Sequence, residues 1–272
     1  MALTVMSQNA QYGADKDGRW ESMIEVIGRV GPHLLFLQEV DWLADPDKAD
    51  AAEKALGLRL VVAPSRNLNT AVAWNPRVLE LLDTETKYSV SEMHHGYCAP
   101  RFKPLGLARE LPASLVAIST HLTPYSAEVA AQETQLLCAR AYRYGGIAIV
   151  AGDINHCPLD DPEIEWERVQ PYNRTSRCLP RASKDEPWRG NRIVGQKFRD
   201  GEFTDVGAHF EDRQATGKAG LLRVDQAHVT PALRPALRSY QRVDPGPASD
   251  HYGISWELDL AATDTTCIRA YT

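Results

Sequence analysis

Ile147-Ala148-Ile149-Val150-Ala151-Gly152-Asp153-Ile154-Asn155-His156-Cys157-Pro158 joins an unbroken apolar run to a polar turn. Five apolar residues in succession, with β-branched side chains among them, predict a short strand covered on both faces, as in layered α/β proteins. The run stops at Gly152 and is followed by Asp153 and Asn155, two side chains suited to a cation or a phosphate oxygen. In open α/β sheets, ligands gather where loops leave the strand ends. The same stretch therefore speaks to both the fold and the chemistry.

Upstream, a β-type run at 114–120 leads into a helical segment at 127–143 that is closed by Gly145-Gly146. Nearer the N-terminus, residues 3–8 predict a strand. Trp20, Met23, Ile24 and Ile27 recur at helical spacing within 20–30, and Gly31-Pro32 stops that helix before the run 34–37. An Ala-rich helix at 47–56 ends at Gly57, and strands at 58–62 and 70–74 form a meander across an Asn-rich turn. A loop containing Pro, Gly and His is predicted from about 94 to 106. Later strands are predicted at 221–229, 237–243 and 252–260, where Ile254, Trp256, Leu258 and Leu260 alternate with small or polar residues. This alternation, with no internal repeat, predicts one α/β domain over 1–272. One segment breaks the rhythm: about 157–201 is aperiodic and rich in Pro, Arg and Asn, which predicts a long surface excursion.

Composition narrows the function classes. A hydrophobic fraction of 43% and a charged fraction of 24% are ordinary globular usage and exclude disordered and fibrous classes. The longest apolar stretches fall far short of the ~18 residues a membrane span needs. Met1 runs into residues 3–6 without a basic patch, an apolar signal core or a cleavage site, so a cytoplasmic location is expected. The five cysteines, Cys98, Cys138, Cys157, Cys178 and Cys267, are odd in number and widely spaced, which predicts reduced thiols and no zinc or disulfide framework. The net charge of −6 hides an asymmetry: between Arg168 and Arg199 nine basic residues face two acids, leaving −13 on the rest of the chain. No oligomer signature is visible.

Other apolar runs also end in, or open from, residues that bind metal or move protons. Residues 3–6 lead to Asn9, 34–37 to Gln38-Glu39, 115–118 to Ser119-Thr120-His121, and Leu221-Leu222 to Arg223-Val224-Asp225. Ser249-Asp250-His251 precedes the last strand. Taken singly, each has an ordinary reading: Glu39 or Asp225 as a solvated charge, His121 as a satisfied core imidazole. Taken together they offer hard oxygen donors suited to Mg²⁺ or Mn²⁺. Without a cation, so many carboxylates would repel one another.

The motifs Ser7-Gln8-Asn9, Leu35-Phe36-Leu37-Gln38-Glu39-Val40, Ser119-Thr120-His121-Leu122, Gly152 to Pro158, Arg223-Val224-Asp225 and Ser249-Asp250-His251 resemble, in order and spacing, those of the endonuclease/exonuclease/phosphatase superfamily. The resemblance covers nearly the whole chain. It departs where Gln226-Ala227 replaces a Tyr-Ile or Tyr-Phe pair and where Gly253 stands in place of a frequent proline. It implies the DNase I-like fold, an α/β (α+β) four-layer sandwich of two mixed β-sheets packed face to face with helices on both outer sides. It also implies Mg²⁺ (or Mn²⁺)-dependent phosphoester hydrolysis. By this resemblance Glu39 is the central metal ligand, and Asn9 and Asp250 complete the metal environment. Asp225 orients His251, which takes a proton from water or stabilises phosphoryl oxygens as imidazolium. Asp153 orients or deprotonates the attacking water, Asn155 bonds a non-bridging oxygen, and His121 stabilises phosphate or protonates the leaving group. Arg109 resembles a phosphate-contacting arginine; Arg223 is a second phosphate candidate or a brace for the acidic cluster through its bidentate fork.

Three functions compete. Cleavage of nucleic acid is suggested by the 168–199 segment, where cations are interleaved with Tyr172, Trp188 and Phe198, since cations track phosphates and aromatics stack bases. A phosphatase or phosphodiesterase for a small metabolite or a phospholipid headgroup would use the same site and suits the acidic total charge. A catalytically silent scaffold is the third reading, opposed by the filled catalytic positions.

Overall fold

The computed structural model describes residues 2–218 and 221–269. In chain order the elements are β1 (Ala2–Asn9), α1 (Arg19–Val30), β2 (Leu34–Gln38), α2 (Pro46–Leu56), β3 (Arg59–Ala63), β4 (Thr70–Trp74), β5 (Leu79–Glu85), β6 (Tyr97–Pro104) and β7 (Leu115–His121). There follow α3 (Ala127–Tyr142), β8 (Ile147–Asp153), α4 (Pro171–Arg177), α5 (Ile193–Asp200), β9 (Thr204–Asp205), α6 (Val206–His209), β10 (Asp225–Val229), β11 (Leu237–Val243) and β12 (Gly253–Asp259). They build two mixed six-stranded sheets, ordered β11-β12-β1-β2-β4-β3 and β5-β6-β7-β8-β10-β9.

The period-2 alternation of the strands makes the layers. Leu3, Val5, Leu34 and Phe36 of the first sheet meet Leu115, Ala117, Ile147, Ile149 and Ala151 of the second in one central core. The alternate residues point outward: Met6, Leu35 and Leu37 pack under α1 and α2, while Val116, Ile118, Ala148 and Val150 pack under α3 and α5. Strands buried on both faces are therefore the reason the sequence shows continuous apolar runs there. The helix ends follow local chemistry: Ser126 accepts from the Val129 N–H to open α3, and Gly31, at φ 62°, closes α1.

Three expectations are corrected. The loop expected from about 94 to 106 contains β6, whose Pro100 lies where the register with β7 skips from Cys98↔Ser119 to Arg101↔Val116. A proline without an N–H fits at such an interruption of the ladder. The excursion at about 157–201 is not all irregular: α5 buries Val194 and Phe198 against α3 and its neighbours. The strand expected at 221–229 begins only at Asp225, and residues 219–220 lie outside the described residues.

Two of the four histidines buried among the described residues, His156 and His228, show what sealing an imidazole into this fold costs. Burial pushes the His156 imidazole down to about 4, and it does the same to His228, which stacks on Phe198 at 3.8 Å. Between about pH 4 and 6.5 the unfolded chain binds protons that the folded chain refuses, so stability falls as pH drops through that window. At pH 5 each such histidine costs up to about 2 kcal/mol. Urea unfolding at pH 7 and pH 5 is expected to show a loss in the wild type that shrinks in His228→Phe. An unchanged pH difference in the variant would remove His228 as a source.

Candidate active site

Strand direction brings the polar ends together. β1 runs parallel to β2 and β7 parallel to β8, with Asn9 opposite Gln38 and His121 opposite Asp153. β10 and β12 run antiparallel to their neighbours and so present their starts at the same end, with Asp225 opposite Asp153. Gly152 is required here: at φ 151°, a Cβ on it would lie 1.9 Å from the Thr120 carbonyl oxygen. Glu39 (φ 61°) and Asn155 (φ 62°) both adopt the left-handed region, a local cost that is typical of functional positions.

Asp153 is the node. Its Oδ2 accepts from Asn9 Nδ2 at 3.2 Å and lies 3.5 Å from His121 Nε2 and 3.9 Å from His251 Nε2; its Oδ1 accepts from the Asn155 N–H at 3.0 Å. Asn9 Nδ2 also donates to Glu39 Oε1 at 2.9 Å, and the Tyr12 N–H donates to Glu39 Oε2 at 2.7 Å. His251 Nδ1 pairs with Asp225 Oδ2 at 2.9 Å. Burial alone would lower the His251 pKa, but Asp225 and then Asp153 outweigh it and hold the imidazole well above its usual value. The Ser249-Asp250-His251 triplet is tied to the end of β1: Ser249 Oγ donates to the Asn9 carbonyl, accepts from the His251 N–H, and Gln8 Nε2 donates to the His251 carbonyl. Asp250 stands exposed beside His251 at the mouth of a cleft of about 450 Å³.

The donor set fits a hard divalent cation. Glu39, His121 and Asp153 bring ligand atoms within 4.8 Å of one another, and so do Asp153, Asp225 and His251. Among the described residues no Lys or Arg lies within salt-bridge distance of Glu39, Asp153 or Asp225, and Asp225 Oδ1 is buried without a hydrogen-bond partner. The His251 imidazole supplies part of the compensating charge, and these residues could hold a divalent ion that supplies the rest.

Both phosphate arginines are corrected. Arg109 precedes β7, so it sits beyond Leu115, about 20 Å along the strand from His121. Arg223 is buried, 2% exposed, and its fork closes on Asp161 (2.8 and 3.1 Å) and Asp205 (2.8 and 2.9 Å). It braces an acidic pair, but not the catalytic one. Arg223→Met is expected to cost about 3–5 kcal/mol in urea unfolding, because two largely buried carboxylates lose their partner. A cost below about 1 kcal/mol would contradict that reading.

The basic excursion also differs from expectation. Arg168 pairs with Glu165, Arg192 with Glu163 and Arg199 with Asp160, while Arg174 and Arg181 lie over the Trp188 ring. Phe198 is buried against His228. Of the three aromatics only Tyr172 stands free, at 70% exposed.

Several supporting residues had no sequence signal. Arg19 donates to the carbonyls of Ala10, Gln11, Tyr12 and Ala248, joining the segment after β1 to the one before Ser249. His95 stacks on His121 at 4.2 Å, and burial, then the charges of His121 and His94, push its pKa down to about 3, so it backs His121 as a neutral ring. Arg177 donates from Nε to the Asn155 carbonyl at 2.7 Å and from Nη2 to Asn155 Oδ1 at 3.1 Å. Cys157 is buried, with its thiol pushed up to about 12 by burial.

Residues 6–251 match the family described as the Endonuclease/Exonuclease/phosphatase family. No curated protein sequence matches the chain. In structure it is similar to ANGEL2, a 2′,3′-cyclic phosphatase, with a TM-score of 0.67, 14% identity and coverage of 96% of each chain. An AP endonuclease from Archaeoglobus fulgidus gives a TM-score of 0.66 at 17% identity, covering 94% of this chain and 99% of that one. TDP2 from D. rerio in complex with a single-strand DNA product gives 0.63 at 12% identity, covering 95% and 99%. Identities this low speak to the fold alone, which is the expected DNase I-like sandwich.

Proposed function

The chain belongs to the endonuclease/exonuclease/phosphatase family, and from that premise we propose that it is a divalent-metal-dependent phosphodiesterase that cleaves nucleic acid by in-line attack of water. The observation that carries the reading is the convergence of the Asp225–His251 pair, Asp153, His121, Asn9 and Glu39 at one end of both sheets, beside a cleft walled by Val169, Tyr172, Leu222 and Val224. Apolar wall and exposed aromatic next to a phosphate site suit a base and sugar flanking the scissile phosphorus. The structurally similar proteins are consistent with this reading: TDP2 holds a single-strand DNA product, ANGEL2 is a 2′,3′-cyclic phosphatase, and the third is an AP endonuclease.

Glu39, Asn9 and Asp250 would hold Mg²⁺ or Mn²⁺, which when bound neutralises phosphoryl charge and acidifies water. The chain's own groups do the rest. Asp225 fixes the His251 ring so that Nε2 faces Asp153 across 3.9 Å, close enough for an oxygen placed to one side of the pair to hydrogen-bond to both groups. Asp153 orients the attacking water, Asn155 bonds a non-bridging oxygen, and His121 faces the leaving group.

A small-molecule phosphoester substrate is the second reading, favoured by the internal pairing of the excursion's arginines. Hydrolysis with Mg²⁺ or Mn²⁺ of plasmid DNA, single-stranded RNA, bis-p-nitrophenyl phosphate and p-nitrophenyl phosphate separates the two. Turnover of polymer and diester is expected, abolished by EDTA and by Glu39→Ala. A salt slope no steeper than about −3 is also expected, because Arg168, Arg192 and Arg199 are paired with acids and Arg174 and Arg181 with Trp188, which leaves Lys184, Arg189 and Lys197 of the excursion to displace counterions. Turnover of the monoester alone would transfer the assignment to a metabolite phosphatase, and a chelator-resistant rate would sink the metal dependence.

A further inference from the structure

We propose that Arg177, delivered by the basic excursion, is the cation that meets the substrate phosphate and positions Asn155 for it, an inference that rests on the hydrolase reading above. The excursion leaves β8 at Asp153, and α4 brings its last residue back behind Asn155. There Arg177, 8% exposed, grips one residue at two points: Nε donates to the Asn155 carbonyl and Nη2 to Asn155 Oδ1, while Nη1 donates to Asn173 Oδ1 at 2.7 Å. Asn155 has a left-handed backbone, and its Nδ2 donates to the Leu122 carbonyl at 3.0 Å. With Oδ1 committed to Arg177, the amide cannot flip, and its second N–H remains for an acceptor in the cleft.

The charge is the second argument. Among the described residues no carboxylate lies within salt-bridge distance of Arg177, whereas Arg168, Arg192, Arg199 and Arg223 all have one. Its direct partners are all neutral oxygens, and the Asp153 carboxylate acts on it only from beyond salt-bridge distance; a buried cation so incompletely paired is costly, and its charge is compensated further when an anion arrives. A guanidinium carries five N–H donors. Three are used at 2.7–3.1 Å, and among the described residues the one further hydrogen-bond acceptor is Ser176 Oγ at 3.5 Å. Arg177, Asn155, Asp250 and His251 line the same cleft, so the remaining donor capacity borders the place where phosphate would sit. The excursion's function is then to carry one arginine into the site, with Arg168, Arg192 and Arg199 held by acids and Arg174 and Arg181 by Trp188 within the loop.

The test uses the full-length wild type, Arg177→Met, Arg177→Lys and Glu39→Ala. Bis-p-nitrophenyl phosphate turnover is measured with Mg²⁺ or Mn²⁺, and binding of inorganic phosphate by calorimetry, both per folded molecule as judged by circular dichroism. Arg177→Met is expected to lose about 10²–10³-fold in kcat and about 10-fold in phosphate affinity. Arg177→Lys, which keeps the charge without the fork, is expected to recover part of both. If the methionine variant does not fold, Arg177→Gln takes its place under the same criteria. A purely structural arginine would lower the folded fraction and leave both readouts within about threefold of wild type, which overturns the proposal while leaving the hydrolase reading intact. If the wild type turns over no diester, that reading fails, and phosphate affinity alone decides: weaker binding in the variant upholds Arg177 as an anion site, and equal binding, or none in either, overturns it.

Discussion

Asp153→Asn is expected to lower kcat on a phosphodiester by about 10³–10⁴-fold while the protein stays folded, the upper range for loss of a proton-transfer group. Asparagine has the same shape and keeps an oxygen for the Asn155 N–H, so the end of β8 is preserved. What changes is Oδ2. In the wild type this atom accepts from Asn9 and faces both His121 and His251. An amide nitrogen there turns a donor toward another donor, and the negative charge shared by both candidate metal groups disappears. Relief of repulsion from Glu39 and Asp225 is expected to leave thermal stability equal or slightly raised, the usual trade between activity and stability at an acidic site. The measurement is kcat across a Mg²⁺ titration with the unfolding midpoint alongside. A drop of less than about tenfold at saturating metal would mean that Asp153 neither orients nor deprotonates the water.

How much of this was legible in the sequence depends on whether the determinant was local. β4 at Thr70–Trp74 and β11 at Leu237–Val243 appear at the expected boundaries because turn residues punctuate them on both sides. The side chains of the candidate site were legible because each sits directly at the end of an apolar run, where local sequence and tertiary position coincide. β6 escaped because two prolines and flanking histidines mimic a loop, and only its neighbours on both sides make it a strand. The arginines were misread because a cation's partner lies far away in sequence. Asp161 and Asp205 claim Arg223 across 62 and 18 residues, Glu163 claims Arg192 across 29, and Asn155 claims Arg177 across 22. Arg109 fails for a topological reason: a residue that precedes a strand lies at the opposite end from the residue that finishes it.

Asp225→Asn tests the other half of the site, and about a 10⁴-fold loss in kcat with little change in KM is expected, the size seen when the carboxylate behind a catalytic histidine becomes an amide. Asp225 Oδ2 accepts from His251 Nδ1 at 2.9 Å, and its backbone N–H is anchored on Thr216 Oγ1 at 2.8 Å, so the side chain has one place to go. An asparagine whose amide nitrogen faces Nδ1 selects the opposite tautomer and puts the ring proton on Nε2, toward Asp153. An asparagine that presents its oxygen keeps the tautomer but loses the charge that sustains an imidazolium in this buried setting. Ring ¹⁵N shifts of His251 separate these two cases: the first removes the Nε2 lone pair that takes a proton from water, the second the charged Nε2–H that a phosphoryl oxygen would meet. Asp225→Ala, which removes both the hydrogen bond and the charge, should then be no worse than Asp225→Asn by more than about tenfold. If Asp225→Asn retains more than a tenth of wild-type kcat, His251 is held by the Ser249 and Gln8 contacts to its own backbone, and Asp225 is a buried acid without a catalytic part.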